Sequence, residues 1–384
     1  MAALLGEGGP DLVRSVLAGG SVGAVRIVQV RYVPRRNITV QFVVTVAGAE
    51  VMVTAVSGLD VPDDLPSVEA AGHRIAFWRF PHDPFLPGLA SAVDADRVRG
   101  LLETLGAAGR DVRVRTRTYR AGRRAVVEVT TEEARVFLKV VRPHRTRALH
   151  DHHVALADEV PIPHSLGLAA DLGIVALEAM PGRTLRDVVE AGRARPSGRA
   201  LVDLLNRLPL SPTSGKVAGP DDRVADHARL LEAVLPRQAG RIADLARRAG
   251  PLGDDSASVA AHGDFHLGQV LVDEGDIVGL VDVDTAGAGR RVNDLAQMLG
   301  HAATVATISA APAAVRSYGA DLVRDFDAVV DGAALRRKTA AAIFGLATGP
   351  FRVQEEDWPA RTSERLALVE AWLDSVDTMS TPIV

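Results

Sequence analysis

Apolar and polar residues alternate with a period of two through Gly23–Val33, Asn37–Thr45 and Glu50–Ala55, which predicts three antiparallel strands of a small sheet. Arg74–Phe80 adds another strand, and the proline-rich Pro81–Pro87 breaks it before a helix expected to end near Gly106. Strands at 112–118, 124–130 and 135–141 predict a second sheet. Helical spacing follows from Arg145 to Glu159, and Pro161-Ile162-Pro163 stops it. An apolar strand, Ile174–Glu178, then runs into Pro181-Gly182 and a helix start. Residues 186–250 and 312–380 are mostly helical by period and rich in Ala, Leu, Val and Arg, so an α-rich lobe is expected there.

Between those helical stretches lies a different pattern. Ala261-His262-Gly263-Asp264-Phe265-His266-Leu267-Gly268-Gln269-Val270-Leu271-Val272 puts an Asp in a turn after a His-Gly pair and an amide five residues later, ahead of an apolar strand. A turn at Asp273–Asp276 and a second apolar run lead to Val281-Asp282-Val283-Asp284. This order suits phosphoryl transfer. Asp264 is placed to take the proton of an incoming hydroxyl as catalytic base, and Gln269 and Asp282 offer oxygens to Mg²⁺, which takes one or two protein ligands besides phosphates and water. Asp284 is a candidate for a second metal ion. The structural alternatives are an Asx-turn or helix N-cap for Asp264 and a cap on the Gly287-Ala288-Gly289 turn for Asp284.

His262 and His266 are four residues apart, but Gly263 and Gly268 argue against a helix that would present both to one metal. Both are expected to support the loop, His262 by hydrogen bonding to backbone. Asp294, at the start of a predicted helix, either bonds to the catalytic turn or stabilises the helix N-terminus.

Composition narrows the class. The 384 residues are 47% hydrophobic and 24% charged, enough for two or three domains with cores. A net charge of −4, with both signs interspersed, argues against a nucleic-acid partner. The absence of cysteine excludes disulfides and thiolate zinc sites. With no basic-then-apolar leader and no run of about 18 apolar residues, a cytoplasmic protein without a membrane partner is expected.

Lysines are scarce: of 44 basic residues only Lys139, Lys216 and Lys338 are lysine. Lys139 sits in the strand Arg135–Val141, from which an ammonium reaches the α and β phosphates of ATP, a solvent-facing lysine being the alternative. Tyr119-Arg120-Ala121-Gly122-Arg123 falls where a kinase has its phosphate-covering loop, although one glycine also fits a plain hairpin turn. Glu178-Ala179-Met180 reads either as a hinge whose backbone pairs with adenine or as a simple linker.

His262-Gly263-Asp264 with Gln269, then Asp282, then Asp294-Leu295-Ala296, resembles the aminoglycoside phosphotransferase group of protein-kinase-like small-molecule kinases. Within that group, Gln269 in place of the usual Asn, and the β-rich segment of about 90 residues ahead of the kinase strands, are similar to actinobacterial maltokinases. The resemblance implies an α+β, bilobal fold: an N-terminal β-rich cap (residues 1–95), a small β-sheet ATP lobe (96–180), and an α-rich C-terminal lobe with catalytic and acceptor sites (181–384). It also implies ATP, Mg²⁺ and transfer of the γ-phosphoryl group to a hydroxyl of a small polar molecule. Two departures stand out. The helix after the lysine strand carries no Glu before Asp158-Glu159 to pair with Lys139, leaving Asp151 or a His as substitute. The metal strand ends Asp282-Val283-Asp284-Thr285-Ala286-Gly287 where maltokinases tend to have Phe-Glu-Gly, and the chain is shorter than theirs, which points to a sister activity.

The acceptor is sought at Phe351-Arg352-Val353-Gln354-Glu355-Glu356-Asp357-Trp358. Three acids beside a Trp suit an amino sugar, whose ring stacks on the indole while Glu355, Glu356 and Asp357 pair with its ammonium; a charged helix start with Trp358 packed on the core is the alternative. The similarity to actinobacterial glucosamine kinases favours glucosamine, phosphorylated on its 6-hydroxyl. Maltokinase, aminoglycoside phosphotransferase and a nucleotide-binding pseudokinase scaffold are the competing expectations.

Overall fold

The computed structural model describes residues 2–6, 8–17, 22–58, 61–105, 109–210, 215–251, 258–380 and 382, so Gly106, the expected end of the helix after Pro87, lies outside the described residues. The chain divides into two units: Met1–His152, His164–Ala179 and Phe351–Glu356 form the first, and His153–Pro163, Met180–Pro350 and Asp357–Val384 the second.

The first unit is built on two antiparallel sheets. Helices α1 (Ala2–Leu5) and α2 (Gly8–Val16) precede β1 (Val22–Val33), β2 (Asn37–Val46), β3 (Ala49–Gly58), β4 (Ser67–Ala70) and β5 (His73–Arg79), ordered β1-β2-β3-β5-β4. Alternation along β2 sends Val40, Phe42 and Val44 to one buried face and Thr39 and Gln41 to the other, so this interior strand is covered on both sides. The short edge strand β4 carries no pattern that separates it from a loop.

Helices α3 (Leu89–Ala92) and α4 (Ala95–Thr104) follow; Asp94 caps α4 by accepting from the amides of Asp96 and Arg97. The second sheet runs β6-β7-β8-β10-β9, from β6 (Arg113–Arg120), β7 (Arg124–Thr130), β8 (Arg135–Val141), β9 (Ser165–Ala169) and β10 (Ile174–Glu178), with α5 (Thr146–Leu156) after β8. Ala125, Val127 and Val129 of β7 share a core with Val98 and Leu102 of α4. The first sheet is tied to the second by a hydrogen-bond chain: the Trp78 indole N–H donates to the Tyr119 hydroxyl (3.0 Å), which donates to Asp83 Oδ2 (2.8 Å).

The second unit is helical, with α6 (Leu185–Glu190), α7 (Gly198–Asn206), α8 (Val224–Val234), α9 (Ala239–Ala249), α10 (Arg291–Ile308), α11 (Pro312–Asp327), α12 (Gly332–Leu346), α13 (Gly349–Arg352, divided evenly between the two units) and α14 (Trp358–Thr378). Leu295, Met298 and Leu299 of α10 pack with Ile343 and Phe344 of α12 and with Leu366, Val369 and Trp372 of α14. Its strands are short: β11 (Arg183–Thr184), β13 (Val270–Asp273) and β14 (Asp276–Leu280) make one sheet, β12 (Val259–Ala261) and β15 (Gly287–Gly289) another. This is the expected α+β class, with a β-rich N-terminal part and a helical C-terminal part. No helix among the described residues is long and apolar enough to cross a membrane.

One buried ion pair stabilises the helical unit. Lys338 Nζ of α12 lies 3.0 Å from both carboxylate oxygens of Asp221, and both residues are buried. Lys338→Met removes the charge and strands the Asp221 carboxylate in the core. A loss of about 3–5 kcal/mol is expected from denaturant unfolding; an unchanged midpoint contradicts this reading of the pair.

Candidate active site

The segment between β12 and β13 is an irregular loop held from several sides. Phe265 and Leu267 are fully buried and anchor it in the helical core, while the alternate residues Asp264 and His266 face outward and are partly exposed. Gly263 has φ +84°, and a Cβ there would meet Val217 Cγ1 at 2.7 Å, so both the turn and its close approach require glycine. The amides of His262 and Gly263 each donate to Asp294, at 2.8 Å to Oδ2 and 2.8 Å to Oδ1. Asp294 therefore bonds to the turn that carries Asp264. Burial pushes its carboxyl above the usual carboxylate range, opposed by His262, the two amides and Arg291.

His262 supports the loop as expected. Its Nδ1 accepts the Asp264 amide (3.2 Å), so in the neutral ring Nε2 carries the proton and donates to the Val281 carbonyl (3.0 Å). One imidazole thereby links the Asp264 turn to the segment that presents Asp282. The same two segments are joined by the pairing of Val270 with Leu280 and of Ala261 with Gly287.

Gln269 Nε2 lies 3.4 Å from Asp282 Oδ2, which brings the two expected Mg²⁺ ligands together. Asp282 has φ 59°, ψ 40°, a left-handed conformation that Asp tolerates better than most residues. An oxygen-only donor set of one carboxylate and one amide carbonyl fits Mg²⁺. Asp284 points elsewhere: its Oδ1 is 3.5 Å from Nε2 of the buried His153, whose Nδ1 bonds the Pro163 carbonyl (2.9 Å). His266 does not pair with His262. Its ring stacks on His301 of α10, centroids 4.2 Å apart at 17°.

In the first unit, Lys139 is buried at 9% exposure on β8, between Val126 of β7 and Val175 of β10, so it is not a solvent-facing lysine. Asp151, one of the substitutes for its missing Glu partner, is exposed on α5. The β6–β7 turn is pinned at Gly122, whose amide donates to Asp83 Oδ2 (2.7 Å) and whose carbonyl accepts from Arg142 Nε (3.0 Å). Around it arginines crowd one another. Arg123 is held down to about 10 by loss of solvent and by Arg31, Arg120, Arg124 and Arg352.

The hinge residues are partly committed. The Glu178 amide donates to the His164 carbonyl (2.9 Å) and the Ala179 amide to the Arg135 carbonyl (3.1 Å). Of the acceptor segment, Glu355 is half-buried and Glu356 and Asp357 are exposed, while Trp358 is half-buried against the helical core. Arg352, three residues before Glu355, has its guanidinium lowered by burial and by Arg120 and Arg31.

The phosphotransferase enzyme family matches residues 115–329, more than half of the chain. The chain belongs to this family. Among solved structures, this phosphotransferase is similar to an aminoglycoside-3'-phosphotransferase of type VIII, at 22% identity over 66% of this chain and 99% of that one, with a TM-score of 0.45. It is similar also to a spectinomycin phosphotransferase solved with ADP and spectinomycin, at 14% identity over 74% and 99% (TM-score 0.48). A macrolide 2'-phosphotransferase from Brachybacterium faecium matches at 17% identity over 71% and 98% (TM-score 0.43). No curated protein matches.

Residue reasoning missed His301 in the phosphotransferase. A signal was present: His301 follows Asp294 by seven positions, two turns along one face of α10, so the face that holds the catalytic turn also presents this imidazole. Burial lowers His301 to about 3, helped by His266 and Arg365. The unfolded ring titrates near 6.5, so between about 3 and 6.5 the unfolded chain binds more protons and stability falls as pH drops through that window. The contribution is up to about 1.4 kcal/mol per pH unit. His301→Asn should flatten the dependence in unfolding curves taken from pH 7 to 4; a slope identical to the wild type contradicts the buried neutral ring.

Proposed function

We propose that this phosphotransferase is an ATP- and Mg²⁺-dependent kinase that phosphorylates a hydroxyl of a small amino sugar, glucosamine on its 6-hydroxyl. The observation that carries the reading is the shared scaffold of the two acids: His262 and the β13–β14 hairpin fix the Asp264 turn and the Asp282–Gln269 pair relative to each other. ATP supplies the phosphoryl group, and Mg²⁺ screens its charge when both are bound. The residues of the chain do the rest. Asp264 orients the acceptor hydroxyl and takes its proton; Asp282 and the Gln269 carbonyl hold the metal; Lys139 faces the phosphates; the backbone of Glu178 to Met180 meets the adenine, the Glu178 and Ala179 amides being given to backbone carbonyls. Asp284, set against His153, is the weaker ligand candidate.

The acceptor assignment rests on Glu355, Glu356 and Asp357 beside Trp358. A second reading has support of its own: the arginines around Arg352 disfavour a cationic acceptor nearby, which suits a neutral sugar such as maltose.

Asp264→Asn should lose about 10²–10⁴-fold in kcat with the KM for ATP retained; near-normal turnover removes Asp264 as base. Asp282→Ala should abolish the Mg²⁺ dependence together with the activity, and an active, still Mg²⁺-dependent variant removes it as the ligand. ADP release measured in parallel with glucosamine, glucose, maltose and kanamycin decides the acceptor. Preference for maltose, or unchanged glucosamine KM in Glu355→Gln, Glu356→Gln and Asp357→Asn, overturns the amino-sugar assignment. Turnover with none of the four leaves nucleotide binding as the surviving function.

A further inference from the structure

Asp264, His266 and His301 each offer one side-chain atom, and these atoms lie within 4.8 Å of one another, yet no hydrogen bond joins the three residues among the described residues. The centre of such a triangle is at most about 2.8 Å from each corner, an ordinary hydrogen-bond length. From this cluster we infer a seat for one hydroxyl oxygen of the acceptor, a hydroxyl neighbouring the one that is phosphorylated. The inference rests on Asp264 being the base that faces the acceptor.

The donors and acceptors match a hydroxyl in number. His266 Nδ1 already accepts the Gly268 amide (3.0 Å), so its neutral ring carries the proton on Nε2 and presents an N–H. His301 stacks flat against His266, which fixes both rings; burial lowers both, with Asp264 and Asp282 opposing it at His266, and with His266 and Arg365 adding to it at His301. In the proposed seat His301 also turns an N–H inward, and two imidazole N–H groups with one carboxylate oxygen are what a hydroxyl satisfies, by accepting twice and donating once. An ammonium has no lone pair to accept either N–H and does not fit the seat, so the amine of an amino sugar lies elsewhere.

The guest is not the reacting oxygen. With both lone pairs bonded to imidazoles, that oxygen is a blunted nucleophile; the second Asp264 oxygen remains to take the proton of the attacking hydroxyl. A metal ion is a poorer guest for the same reason of tautomer, since ligation by His266 Nε2 would move the proton to Nδ1 and cost the Gly268 amide its acceptor.

The experiment combines ring-nitrogen NMR of histidine-labelled protein with kinetics. His266 should report the Nε2–H tautomer, and an Nδ1–H tautomer overturns the seat. His301→Ala and His266→Leu should each raise the acceptor KM about 10-fold or more with the ATP KM unchanged, and His266→Gln, which keeps a donor, should recover part of the loss. An acceptor lacking the anchored hydroxyl should lose affinity with the wild type and no further with His301→Ala. Parallel rises in both KM values mark a merely structural pair and overturn the proposal. So does stoichiometric binding of Zn²⁺ that shifts both ring signals, which makes the cluster a metal site. The tautomer and zinc readings need no acceptor, so they are independent of whether the amino-sugar assignment survives.

Discussion

A single buried carboxylate organises this phosphotransferase. Asp294 is fully buried, and its two oxygens accept the amides of His262 and Gly263, each at 2.8 Å. A buried carboxylate is costly unless bonded, and buried amides are costly unless accepted. The two needs cancel only when the loop takes the conformation that turns Asp264 outward. Arg291, 3.8 Å from Asp294 Oδ2, adds a cation on the same helix turn. The carboxylate that holds the loop is thus not the one proposed to meet the acceptor.

From that bond the site extends in two directions. Through His262 and the β13–β14 hairpin it reaches the Asp282–Gln269 pair, so the proposed proton acceptor and the proposed metal ligands share one scaffold within the helical unit. Along α10 it reaches His301, two turns on, and through the ring stack His266. Helix, loop and hairpin are all anchored in the same apolar core, where Phe265, Leu267, Leu280 and Leu295 are buried together. Rigidity near the reacting groups is therefore a product of core packing as much as of polar bonds.

What was legible in the sequence was local. The period-two runs gave most of both sheets, and the order His262-Gly263-Asp264, Gln269, Asp282, Asp294 gave the segments that the structure brings together, because these contacts are made within a few tens of residues. Lys139 stood out for a different reason, as one of three lysines in an arginine-rich chain, although alternation did not tell that it is buried. Contacts between distant segments were not legible. Nothing in the spacing of Asp284 announces that it faces His153, or that His266 would find a partner 35 positions later on α10. The acids at 355–357 were conspicuous as a string, but the arginines that crowd the adjacent Arg352, Arg31 and Arg120, come from strands more than two hundred residues away. A charge run in sequence does not report the field in which it sits.

The most direct test of the central claim is amide hydrogen exchange at His262 and Gly263 in Asp294→Asn. The substitution keeps shape but replaces one acceptor oxygen with an N–H₂ that faces a donor. Protection of these two amides should fall by about 10-fold or more while the core amides of α12 keep theirs. Unchanged protection at both amides would show that the loop is held by its apolar anchors alone, and that Asp294 is not the bond on which the site depends.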